Sequence, residues 1–262
     1  MDKHYLTPLF APQTVAVFAG RDEDEGLQHP QAKALHEALR AQRFTGRLVF
    51  LDIHTSGTLA DLAQSRADLA IIALPHEDIR TALEVAGRMG CRSVMVISSG
   101  IGADLAAQLR EIAENEGMFL LGPNCMGLQR PALQLNASVA GPLARAVSLA
   151  LVSQSGALTA SILDWARNNA VGFSSVVSVG PNTAIDIAQV LDFLASDPQT
   201  HSIVVYLEGI SNARRFMSAL RSAANAKPVV VLKAGRKPAG NEAAQTHSGV
   251  IVGSRSEERR VG

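Results

Sequence analysis

Three groups in the second half of this 262-residue chain have types and positions suited to phosphoryl chemistry. Ser155 and Gly156 stand where an apolar run gives way to a helical pattern. The first N–H groups of such a helix lack partners, and together with the helix dipole they suit a phosphate. An ordinary serine N-cap explains the same two residues equally well. Glu208 directly follows the apolar run 202–207 and precedes Gly209, and His247 lies in the polar segment Thr246-His247-Ser248-Gly249. A nucleophilic histidine needs one neutral ring nitrogen aimed at the electrophile and an acceptor for its other N–H. Glu208 can be that acceptor, and the Ser155–Gly156 helix start can supply donors to the phosphoryl oxygens. The set is coherent for transient phosphorylation of His247. A lone histidine in a polar loop carries little weight; three such groups after strands of one sheet carry more.

The same residues permit a rival. Ser155, Glu208 and His247 follow the chain order of a hydrolase Ser, Asp/Glu, His triad. Its nucleophile turn, however, reads GxSxG, and Ser153 or Val152 stands where the first glycine belongs.

The elements that must position these groups are short apolar strands alternating with helical stretches. Strand-like runs cover residues 14–19, 47–53, 68–74, 93–98 and 118–121, with helical periods at 31–42, 76–89 and 103–116. Residues 122–145, with Pro123, Pro131, Gly141 and Pro142, predict an irregular junction. The pattern then restarts: strands at 148–152, 173–179, 202–207 and 228–232, helices at 156–169, 185–195 and 212–224. Uniformly apolar runs suit parallel sheets buried on both faces. The fold class predicted is α/β, with two consecutive open parallel-sheet domains, 1–135 and 136–254.

Open α/β sheets bind ligands beyond the carboxyl ends of their strands. In the first domain those ends are Gly20 and Arg21, Ala73-Leu74-Pro75, Ser98-Ser99-Gly100 and Pro123-Asn124. Small residues and free backbone N–H groups on one edge suit an extended ligand with a pyrophosphate, and they serve ordinary turns as well. The loop after the first strand is not a GxGxxG turn, and the acidic run behind Arg21 repels phosphate.

Composition narrows the partners. Lys plus Arg number 24, and Asp plus Glu also 24, so no bulk charge draws the chain to nucleic acid or an anionic membrane. The two cysteines, Cys91 and Cys125, cannot build a disulfide framework or a four-cysteine metal site, and no metal site is expected. No apolar run reaches the ~20 residues of a membrane span. A cytoplasmic setting is the expectation.

Longer stretches carry a resemblance. GPNCMGL at 122–128, SLALVSQSGALTASILDWA at 148–166 and THSGVIVGS at 246–254 resemble the NDP-forming acyl-CoA synthetases, which include the α subunit of succinyl-CoA synthetase. Residues 206–236 are similar to the synthetase-like part of Pat-type protein lysine acetyltransferases. The resemblance implies a Rossmann-like CoA-binding domain, then a flavodoxin-like ligase domain. It implies that acyl-CoA becomes an acyl phosphate, whose phosphoryl group passes to His247 and then to a nucleoside diphosphate. Glu208 matches the supporting carboxylate, and Ser155 and Gly156 the phosphate-holding helix start. CoA or acyl-CoA contacts fall on Gly20, Arg21, Ala73, Leu74, Pro75, Ser98, Ser99, Gly100, Pro123 and Asn124. A magnesium nucleotide enters only through an ATP-grasp domain or subunit, and the Pat-type likeness adds a GNAT domain as a further partner. Neither module lies in these residues, so this stretch alone completes neither reaction. The alternative the resemblance leaves open is a CoA- or acyl-CoA-sensing module without ligase turnover. Residues 255–262 lie outside the matching pattern.

Overall fold

The first five strands of the computed structural model, which describes residues 4–20, 30–53, 66–180 and 184–234, are β1 (Thr14–Phe18), β2 (Arg47–Leu51), β3 (Leu69–Ile72), β4 (Ser93–Val96) and β5 (Phe119–Leu121). They pair in parallel in the order β2-β1-β3-β4-β5. β3 and β4 are buried at every position, as their almost wholly apolar sequences require of strands packed on both faces. Flanking helices are α2 (Pro30–Arg40), α3 (His76–Arg88) and α4 (Ala103–Asn115). Glu77 and Asp78 in the first turn of α3 complement its dipole. The order makes β1 and β3 the place where the direction of strand addition reverses, and open α/β sheets bind ligands beyond the carboxyl ends of strands at such a point.

The second sheet contains β8 (Arg145–Ser153), β9 (Gly172–Ser178), β10 (Ser202–Leu207) and β11 (Val229–Lys233), all mutually parallel, with α5 (Gly156–Asn168), α6 (Ile187–Ser196) and α7 (Ala213–Ala226) between them. The expected pair of α/β sheets is present. The irregular junction expected over 122–145 is not. It holds an antiparallel hairpin, β6 (Gly127–Arg130) and β7 (Leu135–Ser138), which completes the order β11-β10-β8-β9-β6-β7. A division of the chain after residue 135 therefore passes through this hairpin. Polar residues hid it from the sequence: Gln129, Arg130, Asn136 and Ser138 are all buried.

Their partners explain how that burial is tolerated. Gln129 donates to the carbonyls of Gly141 and Pro142 and accepts from the N–H of Ala144. Arg130 pairs with Asp197 at 2.8 Å, both side chains 4% exposed, and also donates to the Ser175 hydroxyl. Thr200 donates its hydroxyl to the same carboxylate at 2.9 Å. Burial alone would raise the Asp197 pKa; the hydrogen bonds and charge of Arg130, with help from Thr200, outweigh it and hold the carboxyl below its ordinary value.

One continuous apolar core joins the halves, running from Val17 and Leu121 in the first sheet to Val152 and Val205 in the second. A short helix that the sequence pattern did not signal, α1 (Thr7–Phe10), helps to bridge them. Its Phe10 stacks on Phe193 of α6 with ring centroids 4.0 Å apart. No helix among the described residues is long and apolar enough to cross a membrane.

Candidate functional site

The carboxyl ends of β1, β3, β4 and β5 bring the predicted first-domain residues other than Arg21 to one edge, where direct hydrogen bonds join several of them. Ser98 accepts from the N–H of Leu74 at 3.0 Å and donates to its carbonyl at 2.7 Å. Asn124 clasps Ile101 in the same way: its amide oxygen accepts from the Ile101 N–H at 3.0 Å, and its amide nitrogen donates to the Ile101 carbonyl at 2.8 Å. The N–H of Asn124 meets the Ser98 carbonyl at 3.2 Å. Ser99 and His76 join through a ring nitrogen on the Ser99 carbonyl, and Gln31 of α2 accepts from the Ser99 N–H. The side chains of Ser98 and Asn124 are thus committed to bracing their own loops. What this edge turns outward is mainly backbone, with Gly20 at φ +79° and Gly100 at φ +77° adopting the left-handed conformation that favours glycine. Such an edge, shaped by glycines and bordered by the exposed ring of His76, fits a long flexible ligand that needs N–H donors.

Behind Gly20 lies a residue that the sequence reading passed over. His36 of α2 is buried, stacks on Phe50 and reaches the Gly20 carbonyl with a ring nitrogen at 3.2 Å. Burial lowers its pKa, so the neutral ring donates to that carbonyl. Arg21 lies outside the described residues.

In the second sheet, Ser155 is the N-cap of α5. It has ordinary extended dihedrals, φ −102° and ψ 116°, and its hydroxyl accepts from the N–H of Leu158. A hydrolase nucleophile sits instead on a sharp, strained turn with its hydroxyl free. The capping geometry therefore speaks against the triad and for a helix start. Neighbouring Ser153 bonds both the N–H and the carbonyl of Ser155.

Glu208 directly follows β10 on the same edge and is 5% exposed. No donor among the described residues pairs with its carboxylate. Lys233 donates to the Glu208 main-chain carbonyl at 2.8 Å. Burial lowers the Lys233 pKa, partly offset by the Glu208 charge; burial, then the same charge, raises that of Tyr206. His247 lies outside the described residues.

Between the two groups stands Gln154, another residue the sequence reading did not single out. Its amide oxygen accepts from the N–H groups of Glu208 at 2.6 Å and Gly209 at 3.1 Å, and its amide nitrogen donates to the Gly209 carbonyl at 3.0 Å. The partners are 54 and 55 residues away in sequence, so only the fold reveals them. A cavity of about 40 Å³, lined by Gln154, Asp186, Gly209 and Asn212 among others, opens beside this turn.

The two edges meet. A Cβ on Gly180, just past β9, would lie 2.3 Å from the Pro123 carbonyl oxygen and 3.0 Å from backbone atoms of Asn124. A Cβ on Gly156 would lie 2.8 Å from the Met126 side chain, and the Met126 N–H donates to the Ser178 hydroxyl. The segment 122–126 therefore leads from the first-sheet edge directly to the start of α5. Cys125 within it is buried, which pushes its pKa up to about 12, and Cys91 is likewise raised to about 12; neither is a ready nucleophile. Among the described residues, no group of three or more His, Cys, Asp or Glu could hold a metal ion. A larger cavity of about 330 Å³, bounded in part by Arg145, Leu163 and Arg167, lies at the opposite end of the second sheet, away from these groups.

Comparison with known proteins finds a CoA binding domain over residues 49–131 and a succinyl-CoA ligase like flavodoxin domain over residues 146–257. The chain is 38% identical to the α subunit of acetate–CoA ligase [ADP-forming] I of Pyrococcus furiosus, covering 95% of this chain and 57% of that one. It is 40% identical to acetate–CoA ligase [ADP-forming] I of Archaeoglobus fulgidus over 71% of this chain and 28% of the relative. The chain thus spans little more than half, or less, of these relatives' length. Among solved structures it is similar to acetyl-coenzyme A synthetase 1 of Ca. Korarchaeum cryptofilum in complex with phosphate and ADP. The TM-score is 0.85 and the identity 29%, with 95% of this chain and 56% of that one covered.

Proposed function

We propose, for a chain that belongs by both of its domains to the NDP-forming acyl-CoA synthetases, that it is the CoA-binding and phosphohistidine-carrying section of such a ligase. The observation that carries this reading is the junction of the two edges, where Gly180 packs on Pro123 and Asn124, and Met126 on Gly156. An acyl-CoA lying along the first edge would end its thioester beside the α5 N-terminus. There the N–H groups that open α5 would hold inorganic phosphate. Phosphate oxygen attacks the thioester carbonyl; the C–S bond breaks, CoA leaves as thiol, and an acyl phosphate forms. His247 then attacks phosphorus, an N–P bond replaces the P–O bond, and the carboxylate leaves. Glu208 accepts the other ring N–H and stabilises the imidazolium charge as it develops. Its carboxylate is buried and has no hydrogen-bond donor among the described residues, which leaves both oxygens free to accept from a histidine. Return of the phosphoryl group to a magnesium-bound nucleoside diphosphate falls to an ATP-grasp domain or subunit. The relatives named above are ligases, and this reading does not draw on the acetyltransferase connection expected from residues 206–236.

The second half-reaction needs no ATP-grasp module, which makes it a direct test. Incubation with acetyl [³²P]phosphate is expected to label the chain with acid-labile, alkali-stable phosphate that His247→Ala abolishes. A chain that binds CoA by calorimetry yet takes no label would instead be the sensing module without turnover.

A further inference from the structure

We propose that Gln154 is a positioning residue for phosphoryl transfer, one that fixes Glu208 against the phosphate-binding helix start. The proposal rests on the phosphohistidine reading and extends it to a residue that lies within the matching stretch 148–166 but to which the sequence assigns no role. Gln154 lies between Ser153, whose hydroxyl holds both main-chain polar groups of Ser155, and Ser155 itself, the cap of α5. Its backbone is tied as well, the Gln154 N–H meeting the Tyr206 carbonyl at 3.2 Å. Its side chain spans to the neighbouring strand end and takes both N–H groups of the Glu208-Gly209 turn while donating to the Gly209 carbonyl. Three hydrogen bonds from one amide leave the turn little freedom to rotate. From the other side, Lys233 of β11 holds the Glu208 carbonyl. The main chain of Glu208 is thus pinned at both its N–H and its carbonyl, while its carboxylate has no donor among the described residues. That is the arrangement required of a group that must meet a histidine in one orientation. A purely structural glutamine joining two strands would leave the rate of phosphorylation untouched once the chain is folded.

Acetyl phosphate labelling of the whole chain separates these roles. Gln154→Met keeps the length of the side chain and removes all three hydrogen bonds. The labelling rate at saturating acetyl phosphate is expected to fall on the order of 10- to 100-fold, with the half-saturating concentration changed little. Gln154→Glu keeps an acceptor for both N–H groups and brings a second carboxyl close to Glu208, which otherwise faces the amine of Lys233 and the phenol of Tyr206. It is expected to label faster than Gln154→Met and to move the acid limb of the rate profile to higher pH, because like charges oppose ionisation. Thermal unfolding of each variant reports whether it is folded. A folded Gln154→Met that labels at the wild-type rate overturns the proposal, as does a Gln154→Glu profile identical to wild type. Should Gln154→Met fail to fold, the Gln154→Glu profile decides alone. Failure of the wild-type chain to take label is a separate result and overturns the phosphohistidine reading itself.

Discussion

Adding a single methyl group at Gly180 tests whether the two edges must touch. Its Cβ would lie 2.3 Å from the Pro123 carbonyl oxygen and 3.0 Å from the Asn124 carbonyl oxygen. These are backbone atoms of a segment braced by Asn124 on Ile101 and by Met126 on Ser178, so no rotamer change relieves the clash. Ordinary contact needs roughly 1 Å more, since carbon–carbon and carbon–oxygen contacts settle near ~3.5 Å. The two segments must therefore part by about that amount, at a cost of about 1–3 kcal/mol in stability. Displacing reacting groups by about 1 Å costs on the order of 100-fold in rate. Two assays isolate the effect. Phosphate-dependent release of thiol from acetyl-CoA needs both edges; labelling by acetyl phosphate needs only the second. Gly180→Ala is expected to slow thiol release about 100-fold and to leave labelling within about threefold. Wild-type thiol release in the folded variant would refute the idea that the junction aligns the thioester. An equal fall in both assays would also refute it, because the damage would then lie within the second sheet alone.

Three other outcomes follow from named contacts. Asn124→Ala removes both bonds to Ile101 and is expected to weaken CoA binding about tenfold by calorimetry, with acetyl phosphate labelling intact, if the loop 98–101 shapes the CoA edge. Arg130→Met strands the Asp197 carboxylate in the core and is expected to cost about 3–5 kcal/mol in guanidinium unfolding; a loss under ~1 kcal/mol would mean that the pair is solvated. Because the Asp197 pKa is depressed in the folded chain, its contribution is full above the unfolded carboxyl pKa of ~3.9 and is lost as pH falls from there through the folded value. Urea midpoints measured between about pH 6 and pH 3 should show that loss in wild type, and Asp197→Asn should flatten that part of the curve.

Strands were legible in this sequence where burial and apolarity coincide, and illegible where they part. β3 and β4 are buried at every position and nearly all apolar, so their sequences alone disclose them. β6 is buried at every position too, yet it reads Gly-Leu-Gln-Arg. Gln129 and Arg130 pass as loop residues until their partners, the 141–144 backbone and Asp197, are seen beside them. The same distinction runs through the site. Strand ends predict which residues reach the carboxyl edges, because in an open α/β sheet that follows from topology. They do not predict what each polar atom does there. Strand ends mark Ser98 and Asn124 as edge residues but do not disclose that their side chains hold Leu74 and Ile101. Gln154 has no role assignable from sequence, and its amide reaches a turn more than fifty residues away. The meeting of the two edges is the least local feature of all. It depends on Gly180 having no side chain where Pro123 and Asn124 pass, a constraint that exists only after two separate sheets have formed. The contacts that bring the two edges together and hold the Glu208 turn thus rest on Gly180 and Gln154, residues whose sequence neighbourhood gives no hint of their distant partners.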